Sequence, residues 1–112
     1  LAATCSELDL AGSVAFYAQT RGAARSDLPA PDMLVDRLTC PMLSIFGGAD
    51  EFIDSDEIEA WQGTLTNESV AHEVVVYRKL PHSFFDRRAG EFETQSDDAA
   101  RRVVDFVSSV AA

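Results

Sequence analysis

Apolar residues along this chain follow two different rhythms, and the alternation between them predicts the architecture. Leu10 to Ala18, ending in Val14-Ala15-Phe16-Tyr17, then Met42-Leu43-Ser44-Ile45-Phe46, then Ala71 to Tyr77 are short β-branched or aliphatic runs. Such runs predict strands, and the second and third read as buried ones. Asp54 to Leu65 instead sets Ile58, Trp61 and Leu65 on one helical face, with acidic residues in the first turn where they offset the macrodipole. Asp54 and Glu57 are spaced like a capping box. Ser96 to Val110 returns to the helical rhythm through Ala100, Val103, Val107 and Val110, acid first and arginine after. Leu1 to Ser6 reads as the end of a helix. Gln19 to Thr39 has no sheet periodicity and contains Gly22, Pro29 and Pro31, so it predicts a loop with a short helix near Asp32 to Leu38, which Asp32 could cap. Asn67 and Glu68 predict a turn, and Glu91 to Gln95 a polar connection.

The middle of this order is strand, helix, strand. A crossover of that kind makes the two strands parallel and right-handed, so their carboxyl ends share one rim of the sheet. Phe46-Gly47-Gly48-Ala49-Asp50 follows one strand and Pro81-His82-Ser83-Phe84-Phe85 the other, so an acid and an imidazole are expected together where open α/β sheets bind ligands. A carboxylate beside an imidazole there suggests the orienting half of a nucleophile-base-acid triad.

Bulk properties narrow the alternatives. At 112 residues and 46% hydrophobic, the chain holds one domain with a modest core. A formal charge of -10 and a pI near 4.4 argue against nucleic acid or an anionic membrane as a partner, because phosphate binding needs a basic face. No apolar run approaches the roughly 20 residues that span a bilayer, and no leader pattern precedes a cleavage site, so a cytoplasmic protein is the expectation. Cys5 and Cys40 lack metal spacing and read as small buried hydrophobes.

Each candidate also has a plain structural reading. Asp50 taken alone would be a turn-forming Asx residue after Gly47-Gly48, glycines that let the chain turn sharply. His82 on the neighbouring strand makes Asp50 the preferred acid, with Asp54 as the fallback. Pro81 biases Leu80 to an extended conformation and carries His82 onto a short loop. His72 opens its strand at the opposite end and is given no chemical role. Tyr17 reads first as a half-buried aromatic with a satisfied hydroxyl, and second as a residue lining a pocket on the same rim. Phe84 and Phe85 are expected to exclude water near the imidazole. Arg21, Arg25 and Arg37 read as a solvated loop.

Cys-Pro-Met-Leu-Ser-Ile-Phe-Gly-Gly-Ala-Asp at 40–50, His-Glu-Val-Val-Val-Tyr at 72–77 and Pro-His-Ser-Phe-Phe-Asp-Arg at 81–87 resemble the C-terminal half of a dienelactone hydrolase, an α/β-hydrolase. Ala11 to Tyr17 resembles that family's strand after the nucleophile helix, so the resemblance covers nearly the whole chain. It implies an α/β fold of three parallel strands with flanking helices, Asp50 as triad acid and His82 as triad base. It also implies a basic residue just after the histidine loop that meets a substrate carboxylate, for which Arg87 is the nearest candidate although Asp86 stands beside it. With Tyr17 and Phe84 read from their positions, the expected substrate residues are Tyr17, Phe84 and Arg87. The family's nucleophile, a Cys or Ser in a Gly-x-Cys/Ser-x-Gly-Gly elbow, would lie about ten residues before Leu1. Nothing in the chain matches that elbow, and Cys5 lacks its glycines.

The expectation is therefore a partial domain over residues 1–112, without the N-terminal half and the elbow, beginning at Leu1 as a fragment of a longer protein would. The intact protein would hydrolyse an ester or lactone through an acyl-enzyme, without a cofactor, and the isolated chain would be inactive. The unpaired apolar edge of the first strand would promote self-association. Two rivals remain: a non-catalytic interaction domain derived from a hydrolase half, and a metal-dependent hydrolase with Asp50 and His82 as ligands, for which no third ligand is visible.

Overall fold

A computed structural model describes residues 9–21 and 30–111. The helix expected over residues 1–6, Cys5 and Arg25 lie outside the described residues. The elements are strand β1 (Ser13–Phe16), 3-10 turns at Pro31–Met33 and Val35–Arg37, strand β2 (Met42–Gly47), helix α1 (Ser55–Asn67), strand β3 (His72–Tyr77) and helix α2 (Glu93–Ala111).

The three strands form one parallel sheet in the order β1-β2-β3. Ser13 pairs with Met42 and Met42 with His72, so the strands start level, and Gly47 pairs with Tyr77 at the far end. Every residue of β2 is buried, as the continuous apolar run demands of a central strand covered on both faces. Alternation along β2 divides the core in two. Met42 and Phe46 join Ile58, Trp61 and Leu65 of α1, while Leu43 and Ile45 join Leu80, Phe84 and Ala99 on the α2 side. Leu43, Ile45 and Leu65 are at most 1% exposed, each stabilising the fold by roughly 1.5–3 kcal/mol through burial. Ser44, a polar residue inside β2, accepts a 3.0 Å hydrogen bond from Trp61 Nε1, which removes the cost of burying both groups.

Several local expectations are corrected. β3 is half-buried rather than buried, with Val76 40% exposed, because it is an outer strand of the sheet. β1 is four residues long, shorter than the apolar run that contains it. The short helix expected near Asp32 to Leu38 is two 3-10 turns without a side-chain cap; Asp32 instead donates its backbone N–H to Thr20 O at 2.9 Å. Helix α2 starts at Glu93, inside the stretch expected as a connection, and its buried stripe is Ser96 and Ala99 followed by Val103 and Phe106, leaving Val107 51% exposed. Asp54 does cap α1, accepting from Glu57 N at 2.9 Å. The Glu57 carboxylate does not return the bond. It turns to Thr20, accepting from its N at 3.0 Å and its hydroxyl at 3.1 Å, and ties the segment after β1 to α1. No helix of the described residues is long and apolar enough to cross a membrane.

Candidate active site

Parallel strands bring three segments to one rim: Tyr17 directly after β1, the loop from Gly48 after β2, and the loop from Arg78 after β3. The last two loops touch backbone to backbone. A Cβ on Gly47 would lie 2.3 Å from Leu80 O, and one on Gly48 would lie 2.6 Å from Arg78 O. The two glycines allow this close approach in addition to the turn that the sequence suggested, which Asp50 N closes by donating to Gly47 O at 3.3 Å. Gly48 N donates to Tyr77 O at 2.8 Å and Ala49 N to Leu80 O at 3.0 Å, fastening the acid's loop to the histidine's.

That contact delivers Asp50 to His82. Asp50 Oδ2 lies 2.7 Å from His82 Nδ1, and Oδ1 accepts from Phe52 N at 2.7 Å and Ile53 N at 3.2 Å. Both oxygens are therefore occupied, so the carboxylate is fixed in orientation as well as position. The Asp50 side chain is 1% exposed and that of His82 35%. An ionised carboxylate only accepts hydrogen bonds, so Nδ1 is the protonated nitrogen facing it, and Nε2 of the neutral ring carries the free lone pair. Among the described residues Nε2 has no hydrogen-bond partner. A ring held at one nitrogen and bare at the other can take a proton from a third group.

Aromatic rings surround the imidazole. The Tyr17 ring centroid is 4.7 Å away and that of Phe52 5.2 Å away. Tyr17, Gln19, Phe52, Ile53 and His82 line a cavity of about 360 Å3, and Ala49, Glu51, Phe52, Pro81, His82 and Arg88 a neighbouring one of about 210 Å3. Tyr17 is thus at the imidazole, its hydroxyl donating to Asp86 Oδ1 at 2.6 Å. Burial first, and then that bond, push its phenol above the ordinary value. The Tyr17 backbone is strained, with a φ of 37°, a conformation costing about 1–3 kcal/mol in a non-glycine residue.

Two of the expected substrate residues are elsewhere. Phe84 is completely buried, its ring packed edge-on against Tyr17 and Tyr77, so it plugs the histidine loop into the core and does not face the cavities. Its carbonyl accepts from Ser96 Oγ at 3.3 Å, a second tie to α2. Arg87 is exposed and lines neither cavity. The arginine at the cavity wall is Arg88, whose guanidinium is engaged by Glu91 at 2.6 and 3.0 Å and lies over the Phe92 ring. Phe52 is the residue that sequence reasoning missed. It is 74% exposed beside His82, and its signal was an aromatic residue two positions after the acid, in the loop that follows the strand.

The remaining candidates are structural. His72 is held by Val70 O at 2.7 Å, and Asp54 caps α1. Arg21 pairs with Asp54 at 3.4 Å and Glu57 at 3.6 Å. Cys40 is buried, and burial pushes its thiol up, which keeps it unreactive. Among the described residues no group of three His, Cys, Asp or Glu side chains is arranged to hold a metal ion.

A parallel sheet with helices on both faces, carrying an aspartate and a histidine in that order at adjacent strand ends, defines part of an α/β-hydrolase fold. A solved structure agrees: a Klebsiella pneumoniae protein provisionally named as a dienelactone hydrolase superimposes with a TM-score of 0.83 at 28% identity, over 96% of this chain and 45% of that one. The chain belongs to the dienelactone hydrolase family, whose model matches residues 1–111. Relatives provisionally named carboxymethylenebutenolidase are 28% identical in Salmonella typhimurium and 29% identical in Yersinia pestis. Each match covers 87% of this chain, and the chain spans 37% of the length of these relatives.

Proposed function

We propose that these residues form the acid-base half of a Cys/Ser-His-Asp triad in a hydrolase of carboxylic esters or lactones. The observation that carries this reading is the 2.7 Å contact of the buried Asp50 carboxylate with His82 Nδ1. Asp50 holds the ring so that Nε2 removes the proton from a thiol or hydroxyl attacking the acyl carbon. The imidazolium that forms is stabilised by Asp50 and returns the proton to the departing alkoxide. The acyl-enzyme left behind is hydrolysed by a water that Nε2 activates in the same way. Tyr17, Phe52 and Ile53 provide an apolar wall for the acyl or alcohol part. The nucleophile and the oxyanion donors come from the part of the family's fold that these 112 residues do not include.

The test compares the pure chain with an intact hydrolase carrying this segment, using an activated aryl ester. The chain alone is expected to leave the ester at the buffer rate. In the intact enzyme His82→Ala and Asp50→Asn are expected to lower kcat by about 10^3-fold or more. Turnover by the chain alone that His82→Ala abolishes, or an intact enzyme indifferent to His82→Ala, would contradict the proposal.

The sheet also suggests a partner. β1 is an outer strand, and Val14, Ala15, Met42, Phe46 and Trp61 help line an apolar cavity of about 180 Å3 beside it. An outer strand with apolar surroundings is a template for further pairing, and a second copy of this chain is the proposed occupant when the chain stands alone.

A further inference from the structure

We propose that the Tyr17–Asp86 hydrogen bond is a latch that holds His82 against Asp50, which makes Tyr17 and Asp86 positioning residues. The proposal rests on His82 being the base. Tyr17 follows β1 and is fastened to the sheet, its N–H donating to Ile45 O at 2.6 Å. Asp86 stands four positions beyond His82 on the histidine loop. The 2.6 Å bond from Tyr17 Oη to Asp86 Oδ1 therefore ties the loop to the frame across 69 positions. It passes beside the imidazole, whose ring lies 4.7 Å from that of Tyr17, and over Phe84, whose ring lies 5.8 Å from it.

The loop needs such a tie. Residues 82–92 contain turns but no strand or helix, and the backbone bonds within them, such as Arg88 N to Ser83 O at 3.1 Å, run from loop to loop. Left-handed backbone occurs at Tyr17 (φ 37°) and at Ser83 (φ 63°), one residue after the histidine. Non-glycine residues keep such conformations only where the surroundings hold them. Phe84, fully buried, anchors the loop in the core, and the Tyr17–Asp86 bond ties it a second time at the ring that packs on both Phe84 and His82. Charge assists: the Tyr17 hydroxyl, then backbone contacts and Arg87, hold the Asp86 carboxyl below its ordinary range, so the bond joins a neutral phenol to a carboxylate at neutral pH.

The test uses the 112-residue chain and the exchange of the His82 Nδ1 proton with water, followed by NMR, with global stability measured by urea on the same samples. Tyr17→Phe keeps the ring and loses the donor; Asp86→Ala loses the acceptor; Asp86→Asn keeps an acceptor oxygen. Exchange is expected to quicken by about tenfold in Tyr17→Phe and in Asp86→Ala, by more than the fall in global stability explains, and no further in the double variant. Asp86→Asn is expected to restore most of the protection. Unchanged exchange in both single variants, or effects that add in the double, would overturn the latch. Asp50→Asn separates the two proposals: if it leaves the Nδ1 proton as it was, the acid-base pair fails, whereas an effect of Asp50→Asn with none of Tyr17→Phe removes the latch alone.

Discussion

His82 Nδ1 lies 2.7 Å from Asp50 Oδ2, although 32 positions separate the two residues. The acid is sealed, with its side chain 1% exposed, and the base is 35% exposed. That asymmetry suits their proposed roles, because the acid only has to orient the ring and the ring has to meet a partner. The contact depends on two loops that approach closely only because residues 47 and 48 have no side chain.

Gly47→Ala and Gly48→Ala are therefore expected to destabilise the chain by about 2–3 kcal/mol each, by forcing apart the loops that carry Asp50 and His82. Gly63, inside α1 with nothing within 4 Å of its would-be Cβ, provides the contrast. Gly63→Ala is expected to stabilise by roughly 0.5–1 kcal/mol. Urea unfolding midpoints measure both; equal effects at the three positions would contradict the close-approach account.

Both tyrosines of the chain donate to carboxylates, Tyr17 to Asp86 and Tyr77 to Asp98, each at 2.6 Å. Burial and the Asp98 bond push the Tyr77 phenol up to about 12, and Tyr17 is pushed up in the same sense. Stability from a raised phenol is complete below its unfolded value of about 10 and is lost as pH rises through the folded one. The bonds lower the Asp86 and Asp98 carboxyls. Their contribution is present above the ordinary Asp value of about 3.9 and is lost as pH falls through the lower folded values. Phenolate absorbance is expected to appear near pH 10 in urea and well above it in the folded chain. A phenolate signal at the same pH in both would contradict these pairings.

Along β1, Ser13 N and Tyr17 N donate toward β2, so the alternation of a strand points the Val14 N–H outward. Sedimentation equilibrium is expected to give a mass that rises with concentration. Val14→Pro, which deletes one outward donor and keeps the bonds to β2, is expected to shift the chain toward monomer. A wild-type monomer at every concentration would contradict pairing through this edge.

Much of this was legible in the sequence because it was written in period. The continuous run at Met42 to Phe46 identified the central strand, and the helix between it and Val74 to Tyr77 fixed parallel order and so the common rim of residues 50 and 82. What escaped lies where no period operates. Arg87 and Arg88 are neighbours in a loop of turns, where no periodicity in the sequence tells which of them reaches the cavity, and it is Arg88 that does. Phe84 follows the histidine by two positions, yet it points into the core under Tyr17 and Tyr77. Glu57 matched a local capping pattern and was claimed by Thr20, 37 positions away. The glycines signalled the turn that forms at residues 47–50, but not that the carbonyls of Arg78 and Leu80 would need the same space.

Asp50 acting on His82 is tested most directly by the nitrogen-15 shifts of the neutral His82 ring in the folded chain. His72→Gln removes the other histidine's signals. The account predicts a ring protonated at Nδ1 and bare at Nε2, with the Nδ1 proton shifted downfield and lost from that position in Asp50→Asn. A ring protonated at Nε2, or one that averages between the two tautomers as free imidazole does and ignores Asp50→Asn, would contradict it.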